Sequence, residues 1–337
     1  MPPVLIMWAG TTSTRSWGST YPFYRLTPVA GLSSLKSGVI QDFRGSVRTP
    51  LDTGALSPLT GRTRGRPEVI IGLIDGPVAL DHPDLSGSFV RQISPSAGAA
   101  CSRLDSLACS HGTFVAGILC ARRGSEAPAI CPDCTLHIRP IFSETNPTNG
   151  DMPSATPDEL AQAINECVDS GARVLNLSAA LTSTPPRGDT KLEQALDYAA
   201  SRGVIPVAAA GNQGTVGGSI IIRHSAVIPV AACDLQGKPL NESNLGSSIG
   251  RRGLMAPGMG VTSLGTNGKP RTLGGTSAAA PFVTGAIALL WSEFPRASAA
   301  EIKLAVTRLR RPSRHTVVPP LLDAWGAYEA LSQRGST

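Results

Sequence analysis

The sequence predicts an α/β protein with a mostly parallel central sheet and helices on both faces. Apolar, strand-like runs alternate with helical patterns along most of the chain, which is the order that right-handed βαβ crossovers produce. The composition agrees with this fold class. Of the 337 residues, 41% are apolar, only 16% are charged and 36 are glycine, as expected for a buried sheet with many tight turns.

The chain divides by composition into a leader and a compact domain. Residues 1–66 are rich in Ser, Thr, Gly, Pro and Arg and have no sustained period of 2 or 3.6, so we predict an extended leader with at most one short helix. The compact domain is predicted to span residues 67–337, including C-terminal helices. Its first strand is predicted over residues 68–75, an unbroken apolar run that indicates burial on both faces.

The remaining elements are predicted to alternate after this strand. Strands are predicted over residues 134–142, 173–178, 204–210 and 226–232, with short strands at 253–256 and 271–273. Helices are predicted over residues 114–120, 156–170, 191–202 and 277–293. Since ligands bind outside the carboxyl ends of parallel strands, polar residues at strand ends are the candidate functional groups.

Three polar residues at element boundaries form a chemically meaningful set. Asp75 ends the first predicted strand, His111 opens a predicted helix, and Ser277 lies in the small-residue turn 275–281. Each residue alone has an ordinary explanation as a turn former, a helix N-terminal residue or a helix cap. Together, the carboxylate and the imidazole can activate the serine hydroxyl as a nucleophile. The order Asp, His, Ser therefore predicts acyl transfer.

Four segments of the chain resemble the subtilisin family of serine proteases. They are VIIGLIDGPVALDHPDL at 69–85, HGTFVAG at 111–117, AAGN at 209–212 and GTSAAAP at 275–281. The resemblance covers roughly residues 67–310 and implies the three-layer subtilisin-like fold. Four motifs in the family's order are far more specific than any one of them.

The resemblance implies a role for each matching residue. Ser277 would be the nucleophile, His111 the general base and then acid, and Asp75 the group that orients His111. The Asn212 amide and the Ser277 backbone N–H would donate to the oxyanion. The family's substrate-binding edge, where an extended peptide adds as a strand, corresponds to residues 174–181. The implied substrate-binding residues are Ser178, Ala179, Ala180, Leu181, Ala209, Gly211 and Thr276.

The chain departs from the family at several positions. The resemblance implies Gly-Gly where Ala180 and Leu181 stand, and the added bulk predicts a narrower pocket and a restricted substrate range. Gly76 stands where Ser or Thr is common, although this change removes no reacting group. Asp84 matches a calcium-binding position of secreted relatives, but residues 122–130 lack the Asn/Asp set of an oxygen cage, so no calcium is predicted.

The function predicted from these residues is a serine endopeptidase that processes a restricted substrate such as a precursor peptide. A softer resemblance, carried by residues 73–78, 138–142 and 231–240, connects the chain to the cyanobactin maturation proteases. Two alternatives stay open. One is a peptide macrocyclase, in which an amine replaces water, and the other is a noncatalytic peptide-binding scaffold. No cofactor is predicted, and the sequence predicts no oligomeric state.

The basic balance of the chain does not predict a nucleic-acid partner. The net charge is +6, but much of the excess lies at residues 62–66 and 308–314, without the interleaved aromatic residues of single-strand binders. No apolar run has the length of a membrane span and no secretory signal is recognisable. A soluble, cytoplasmic protein acting on a peptide or protein is the expectation.

The seven cysteines do not follow the pattern of a small disulfide scaffold. Cys131 and Cys134 form a C-x-x-C pair, and Cys101 and Cys109 could complete a four-cysteine metal site. Because a second close pair is missing, unmetallated thiols are the preferred interpretation and no metal site is predicted.

Overall fold

The computed structural model describes residues 6–8, 40–41, 47–87, 89–93, 101–142, 144, 154–181, 190–308 and 316–334. Its strands are β1 (Ile6–Trp8), β2 (Ile40–Gln41), β3 (Val47–Arg48), β4 (Ile70–Asp75), β5 (Val90–Gln92), β6 (Thr135–Pro140), β7 (Ser154–Ala155), β8 (Val174–Leu177), β9 (Ala179–Leu181), β10 (Ile205–Ala209), β11 (Ile228–Cys233), β12 (Leu254–Pro257), β13 (Val261–Ser263) and β14 (Arg271–Leu273). Its helices are α1 (Pro50–Thr53), α2 (Ser57–Arg62), α3 (Leu107–Cys120), α4 (Pro157–Asp169), α5 (Thr190–Ser201), α6 (Ile220–Arg223), α7 (Ser247–Arg252), α8 (Thr276–Glu293), α9 (Ala299–Arg308) and α10 (Ala324–Arg334).

A seven-stranded sheet in the order β12-β11-β10-β8-β4-β6-β5 forms the centre of the fold. Every pair of neighbouring strands in it is parallel, so the predicted fold class is confirmed. Leu177 of β8 is in register with Ile74 of β4 and Ala208 of β10. The carboxyl ends of these three central strands therefore lie at one level of the same edge.

Helices cover both faces of this sheet and give the fold its three layers. Side chains of successive strand residues point to opposite faces, and β4 shows this alternation, because Leu73 and Ile74 belong to different core clusters. The cluster with Leu73 includes residues of α3 and α8, whereas the cluster with Ile74 includes residues of α4 and α5. Except for the short edge strand β5, the strands of this sheet are buried, as their continuous apolar runs indicate.

The predicted helix starts are right for α4 and wrong for α3. α4 begins at Pro157 with Thr156 and Glu159 in a reciprocal capping box, within one residue of the prediction. α3 begins at Leu107, where Ser106 caps the Cys109 N–H, so the prediction that His111 opens this helix is wrong. His111 consequently lies in the second turn of α3 and not at its start.

Part of the predicted leader has regular structure. α1 and α2 precede residue 66, and Leu56 and Leu59 beside and within α2 are fully buried in the main core cluster. β1 pairs with β7 and β9 in a separate three-stranded antiparallel sheet. Most of residues 1–46 lie outside the described residues, and the division into a leader (1–66) and a catalytic domain (67–337) stays a prediction. None of the helices that the structure describes could cross a membrane.

Candidate active site

Asp75 occupies the carboxyl end of β4, at the centre of the sheet edge. Its side chain is fully buried, and the backbone N–H of Gly76 donates to Oδ1 over 2.6 Å. Oδ2 has no hydrogen-bond partner among the described residues. A buried carboxylate with a free lone pair can hold a positive charge that develops beside it.

Two glycines allow α3 to pass against the turn that follows β4. A Cβ on Gly76 would overlap the carbonyl oxygen of Ala108, and a Cβ on Gly112 would overlap the carbonyl oxygens of Gly76 and Pro77. Only glycine fits at such contacts. The departure of Gly76 from the family pattern therefore has a structural reason, since α3 lies too close for Ser or Thr.

His111 joins the carboxylate to the serine. Its Nδ1 is 2.6 Å from Asp75 Oδ1 and its Nε2 is 3.1 Å from Ser277 Oγ, and all three side chains are buried. With the ring proton on Nδ1, the imidazole donates to the carboxylate and Nε2 accepts from the serine hydroxyl. This arrangement can remove the proton from Ser277 when its oxygen attacks a carbonyl group.

Ser277 is the second residue of α8. The helix is preceded by Gly275, whose φ of 102° lies in the region that favours glycine. Backbone N–H groups in the first turn of a helix have no intrahelical acceptor, and the helix dipole favours negative charge there. An oxyanion that forms beside Ser277 is therefore stabilised by its position at the helix start.

Thr276 orients the side-chain amide of Asn212. Asn212 Oδ1 accepts hydrogen bonds from the backbone N–H and the hydroxyl of Thr276, over 2.9 and 3.0 Å. Nδ2 is buried without a partner in the described part of the chain, and a Cβ at Gly275 would lie only 2.6 Å from it. A buried, unsatisfied amide is costly unless a ligand accepts its hydrogen bond. Asn212 thus presents a free donor at the same edge as Ser277.

The predicted substrate-binding residues lie around this edge. Ser178 follows β8 and is buried, Ala209 ends β10, and the Gly211 N–H donates to Thr276 Oγ1 over 3.1 Å. Ala179, Ala180 and Leu181 form β9, and their backbones pair with β1. The narrowing predicted for Ala180 and Leu181 concerns side chains outside the described set, so it stays a prediction.

Sequence reasoning missed Asn176 and Thr284. Asn176 is fully buried in β8; its Nδ2 donates to Ser178 Oγ over 2.8 Å, and its Oδ1 accepts from Thr284 Oγ1 of α8 over 3.0 Å. This network ties the substrate edge to the helix that carries Ser277. The one available signal was a lone amide in the apolar strand run at residues 174–177, because a buried polar group needs partners.

The alternative of a four-cysteine metal site is wrong for this structure. Cys101 and Cys109 form a disulfide with each other, whereas Cys131 and Cys134 are buried free thiols. The disulfide lies two residues before His111 and anchors the first turn of α3. Asp84, which matches a calcium-binding position of secreted relatives, accepts a hydrogen bond from Arg122 over 3.0 Å, so its carboxylate is paired with a guanidinium.

Sequence comparisons match the chain to one family. A profile of the subtilase family matches residues 66–315. The chain is 30% identical over 244 residues to subtilisin DY from Bacillus licheniformis, which covers 70% of this chain and 81% of that protein. It is 32% identical over 199 residues to a thermostable alkaline protease from Halalkalibacterium halodurans, and that match spans 59% of this chain but only 51% of the relative.

Solved structures of similar proteins include peptide maturation enzymes. A point mutant of the PatA protease domain superimposes with a TM-score of 0.74 at 30% identity, covering 81% of this chain and 98% of that one. The prenylagaramide maturation protease PagA gives 0.71 at 29% identity, covering 82% and 98%. The PatG macrocyclase in complex with peptide gives 0.73 at 20% identity, covering 83% and 96%, and that likeness shows the fold alone.

Proposed function

The chain belongs to the subtilase family of serine endopeptidases, and from this membership we propose that Asp75, His111, Ser277 and Asn212 are its catalytic residues and that it processes a restricted peptide substrate. One observation carries the assignment of the residues. His111 contacts Asp75 through one ring nitrogen and Ser277 through the other, which is the arrangement that serine activation needs.

The proposed reaction proceeds through an acyl-enzyme. Ser277 Oγ attacks the peptide carbonyl carbon while His111 Nε2 takes its proton, and Asp75 stabilises the imidazolium that results. The oxyanion receives hydrogen bonds from Asn212 Nδ2 and the Ser277 N–H, which meet this charge only as it develops. His111 then gives its proton to the leaving amine, and water hydrolyses the acyl-enzyme by the same steps.

Processing of a precursor peptide is the substrate class that we propose. PatA and PagA, both named as maturation proteases, match over nearly their whole length at 29–30% identity. The substitutions at Ala180 and Leu181 support a restricted range, because bulk at a substrate edge excludes many side chains. Rapid cleavage of unfolded casein at many unrelated sites would contradict this part of the proposal.

Macrocyclisation is the second candidate. It uses the same acyl-enzyme, but a peptide amine replaces water, so the cyclic product is lighter than the linear one by one water molecule. Mass spectrometry of the product from a synthetic precursor separates the two reactions. The noncatalytic scaffold is less well supported, since it gives no reason for an aligned Asp75–His111–Ser277 set.

The experiment that tests catalysis is labelling with a fluorophosphonate probe, which reacts only with an activated serine. We expect labelling of the unaltered protein and its loss in Ser277→Ala and His111→Ala. Ser247→Ala, which changes an exposed serine of α7, is the control and should label normally. A folded protein that remains unlabelled even after removal of residues 1–8 would refute the catalytic assignment.

The cytoplasmic location stays a prediction, and one feature weighs against it. Disulfides are rare in proteins of the reducing cytosol, yet Cys101 and Cys109 are bonded. Trapping of free thiols in intact cells, followed by mass spectrometry of the peptide that contains Cys109, measures which form is present where the protein resides.

A further inference from the structure

The loop that carries Asn212 is held by an amide side chain from a later segment of the chain. This loop, residues 210–215, follows β10 and contains the proposed oxyanion donor. We propose that Asn244 is a positioning residue, which fixes this loop and thereby holds the Asn212 amide where the oxyanion forms. The proposal rests on the proposed function for the role of Asn212. It gives a part in the reaction to a residue that lies in none of the four sequence motifs.

Both ends of the Asn244 amide bind the loop. Its Oδ1 accepts hydrogen bonds from the backbone N–H groups of Gln213 and Thr215 and from the Thr215 hydroxyl, each over 3.1 Å. Its Nδ2 donates to the Ala210 carbonyl over 3.1 Å and to Gln213 Oε1 over 2.6 Å. These contacts reach the loop on both sides of Asn212, so one side chain closes the loop around the proposed donor.

The backbone of the segment that contains Asn244 runs beside the loop and adds to this hold. The Asn244 N–H donates to the Gly211 carbonyl, and the Gly214 N–H donates to the Glu242 carbonyl, both over 2.8 Å. Gly211 has a φ of 104°, and a Cβ there would lie 2.4 Å from Asn244 Nδ2. Glycine at this position therefore permits both the backbone conformation and the close approach of the Asn244 amide.

Thr276 and Asn244 hold different parts of the proposed donor. Thr276 binds Oδ1 of the Asn212 side chain, whereas Asn244 holds the backbone on either side of Asn212. A hydrogen-bond donor stabilises an oxyanion strongly only when it is held in place before the reaction. A loop released from Asn244 would let the Asn212 amide occupy several positions, so the loss should appear in the rate of reaction at Ser277.

The rate of labelling by a fluorophosphonate measures this effect, because the phosphoryl oxygen of the reagent takes the place of the oxyanion. We expect Asn244→Ala to lower the rate constant about tenfold, less than the loss of about 10²–10³ that follows removal of such a donor from subtilisin. Asn241→Ala is the matched control. It changes an exposed asparagine of the same segment and should label at the unaltered rate.

A double-mutant cycle with Asn212→Ala distinguishes positioning from a general loss of structure. The donor is absent in the Asn212→Ala protein, so adding Asn244→Ala to it should change the rate by less than about twofold, whereas independent effects would multiply. Thr215→Val, a change at an exposed residue, removes a single hydrogen bond to Asn244 Oδ1. It should cause a smaller loss that also disappears with Asn212→Ala, and it serves if Asn244→Ala does not fold.

The outcomes of this cycle separate the proposal from the proposed function. A loss on changing Asn244 that is equal with and without the Asn212 amide, or no loss in Asn244→Ala, would overturn the proposal alone. Labelling of Asn212→Ala at the full rate would overturn the oxyanion assignment and this proposal with it. Hydrogen exchange at the Gln213 and Thr215 amides should be faster in Asn244→Ala, and unchanged exchange there would contradict the hold on the loop.

Discussion

Thr276 determines which atom of the Asn212 side chain is left free to form a hydrogen bond with a substrate. Its hydroxyl accepts from the Gly211 N–H and donates to Asn212 Oδ1, and its backbone N–H binds the same oxygen. Because Oδ1 is held by Thr276, the amide nitrogen Nδ2 is left free to donate a hydrogen bond. Thr276, the residue before the proposed nucleophile, thus positions the proposed oxyanion donor without touching the oxyanion.

Thr276→Val should lower kcat about five- to tenfold and leave KM nearly unchanged. The substitution removes one of two hydrogen bonds to Asn212 Oδ1, a contribution of about 1 kcal/mol, and the loss appears only where the oxyanion forms. Steady-state kinetics on a cleaved precursor peptide measure it. Thr276→Ser keeps the hydroxyl and should retain most of kcat.

Asn212→Ala removes the amide donor altogether and should therefore cause the largest loss of kcat that misplacing this donor can cause. Removal of the equivalent donor from subtilisin costs about 10²–10³ in kcat, a magnitude carried over from a relative and not obtained from the geometry of this site. A Thr276→Val enzyme with unchanged kcat would show that the backbone N–H alone orients the amide.

The residues that we propose as catalytic could be predicted from the sequence, whereas those that support them could not. Asp75, His111, Asn212 and Ser277 stand in short motifs whose order is itself informative. Asn176 and Thr284 lie 108 positions apart and meet only because α8 packs across β8. A buried hydrogen bond between distant segments leaves no local pattern, so tertiary structure is needed to find it.

At the level of elements, the contact between α3 and the end of β4 sets the distance between Asp75 and His111. Gly76 and Gly112 let the two elements approach until backbone meets backbone, and the Cys101–Cys109 disulfide fixes the first turn of the helix. Protein interiors are closely packed and transmit a shift of one element to its neighbours. A side chain added at this contact should therefore move His111.

Gly76→Ser should destabilise the protein by about 1–3 kcal/mol, the usual cost of overpacking, and should reduce kcat more than it raises KM. The new Cβ would overlap the Ala108 carbonyl oxygen, so α3 must move and the hydrogen bond between Asp75 and His111 must lengthen. Urea denaturation and steady-state kinetics measure the two effects.

Gly61→Ala is the matched control for this substitution. Nothing lies within 4 Å of a Cβ placed at Gly61, which is exposed in α2. Alanine there should be neutral or stabilise the helix by about 0.5–1 kcal/mol. If Gly76→Ser matched this control in stability and in kcat, the close approach would not be needed for catalysis.

The strands of the buried central sheet could be predicted better than the start of α3 or the small sheet of β1, β7 and β9. β4, β6, β8, β10 and β11 were predicted within a few residues, because apolar runs with β-branched residues mark strands that are covered on both faces. The start of α3 was missed, since its cap and its disulfide occur in a polar segment without a helical period. The sheet of β1, β7 and β9 was also missed, because pairing between residues near 7 and near 180 is not encoded locally.

For the molecule as a whole, His137 connects stability to pH. It is fully buried in β6; Arg91 Nε donates to its Nε2 over 2.8 Å, and its Nδ1 lies 2.8 Å from Ser170 Oγ. Ser170 Oγ donates to the Cys167 carbonyl, so Nδ1 carries the ring proton and the imidazole is neutral. Burial, and then the positive charge of Arg91, lower the pKa of His137 to about 4.

The free energy of unfolding should therefore fall as the pH drops from about 6.5 to about 4. In this window the unfolded chain, with an ordinary histidine pKa near 6.5, binds a proton that the folded chain does not, and this difference favours unfolding. Above pH 6.5 the contribution is fully present. Urea denaturation at pH 7 and pH 4.5 measures the loss.

His137→Gln should reduce the difference in stability between these two pH values, because glutamine can accept from Arg91 but does not titrate. His224→Gln is the control, since the His224 ring lies 3.2 Å from the carboxylate of Asp197. An unchanged pH dependence in His137→Gln would assign the acid sensitivity to other groups.

The separation of β7 and β9 from the seven-stranded sheet bears on the engineering of new cleavage preferences. The strands that carry Asp75 and lead to Asn212 belong to the buried seven-stranded sheet, whereas β7 and β9 are short segments of two and three residues in a separate sheet. A directed-evolution library restricted to Ser154 and Ala179–Leu181 varies only four codons, leaves the seven-stranded sheet unchanged and omits Ala155, whose side chain is buried in the core. Such a library can be screened exhaustively in single and double substitutions.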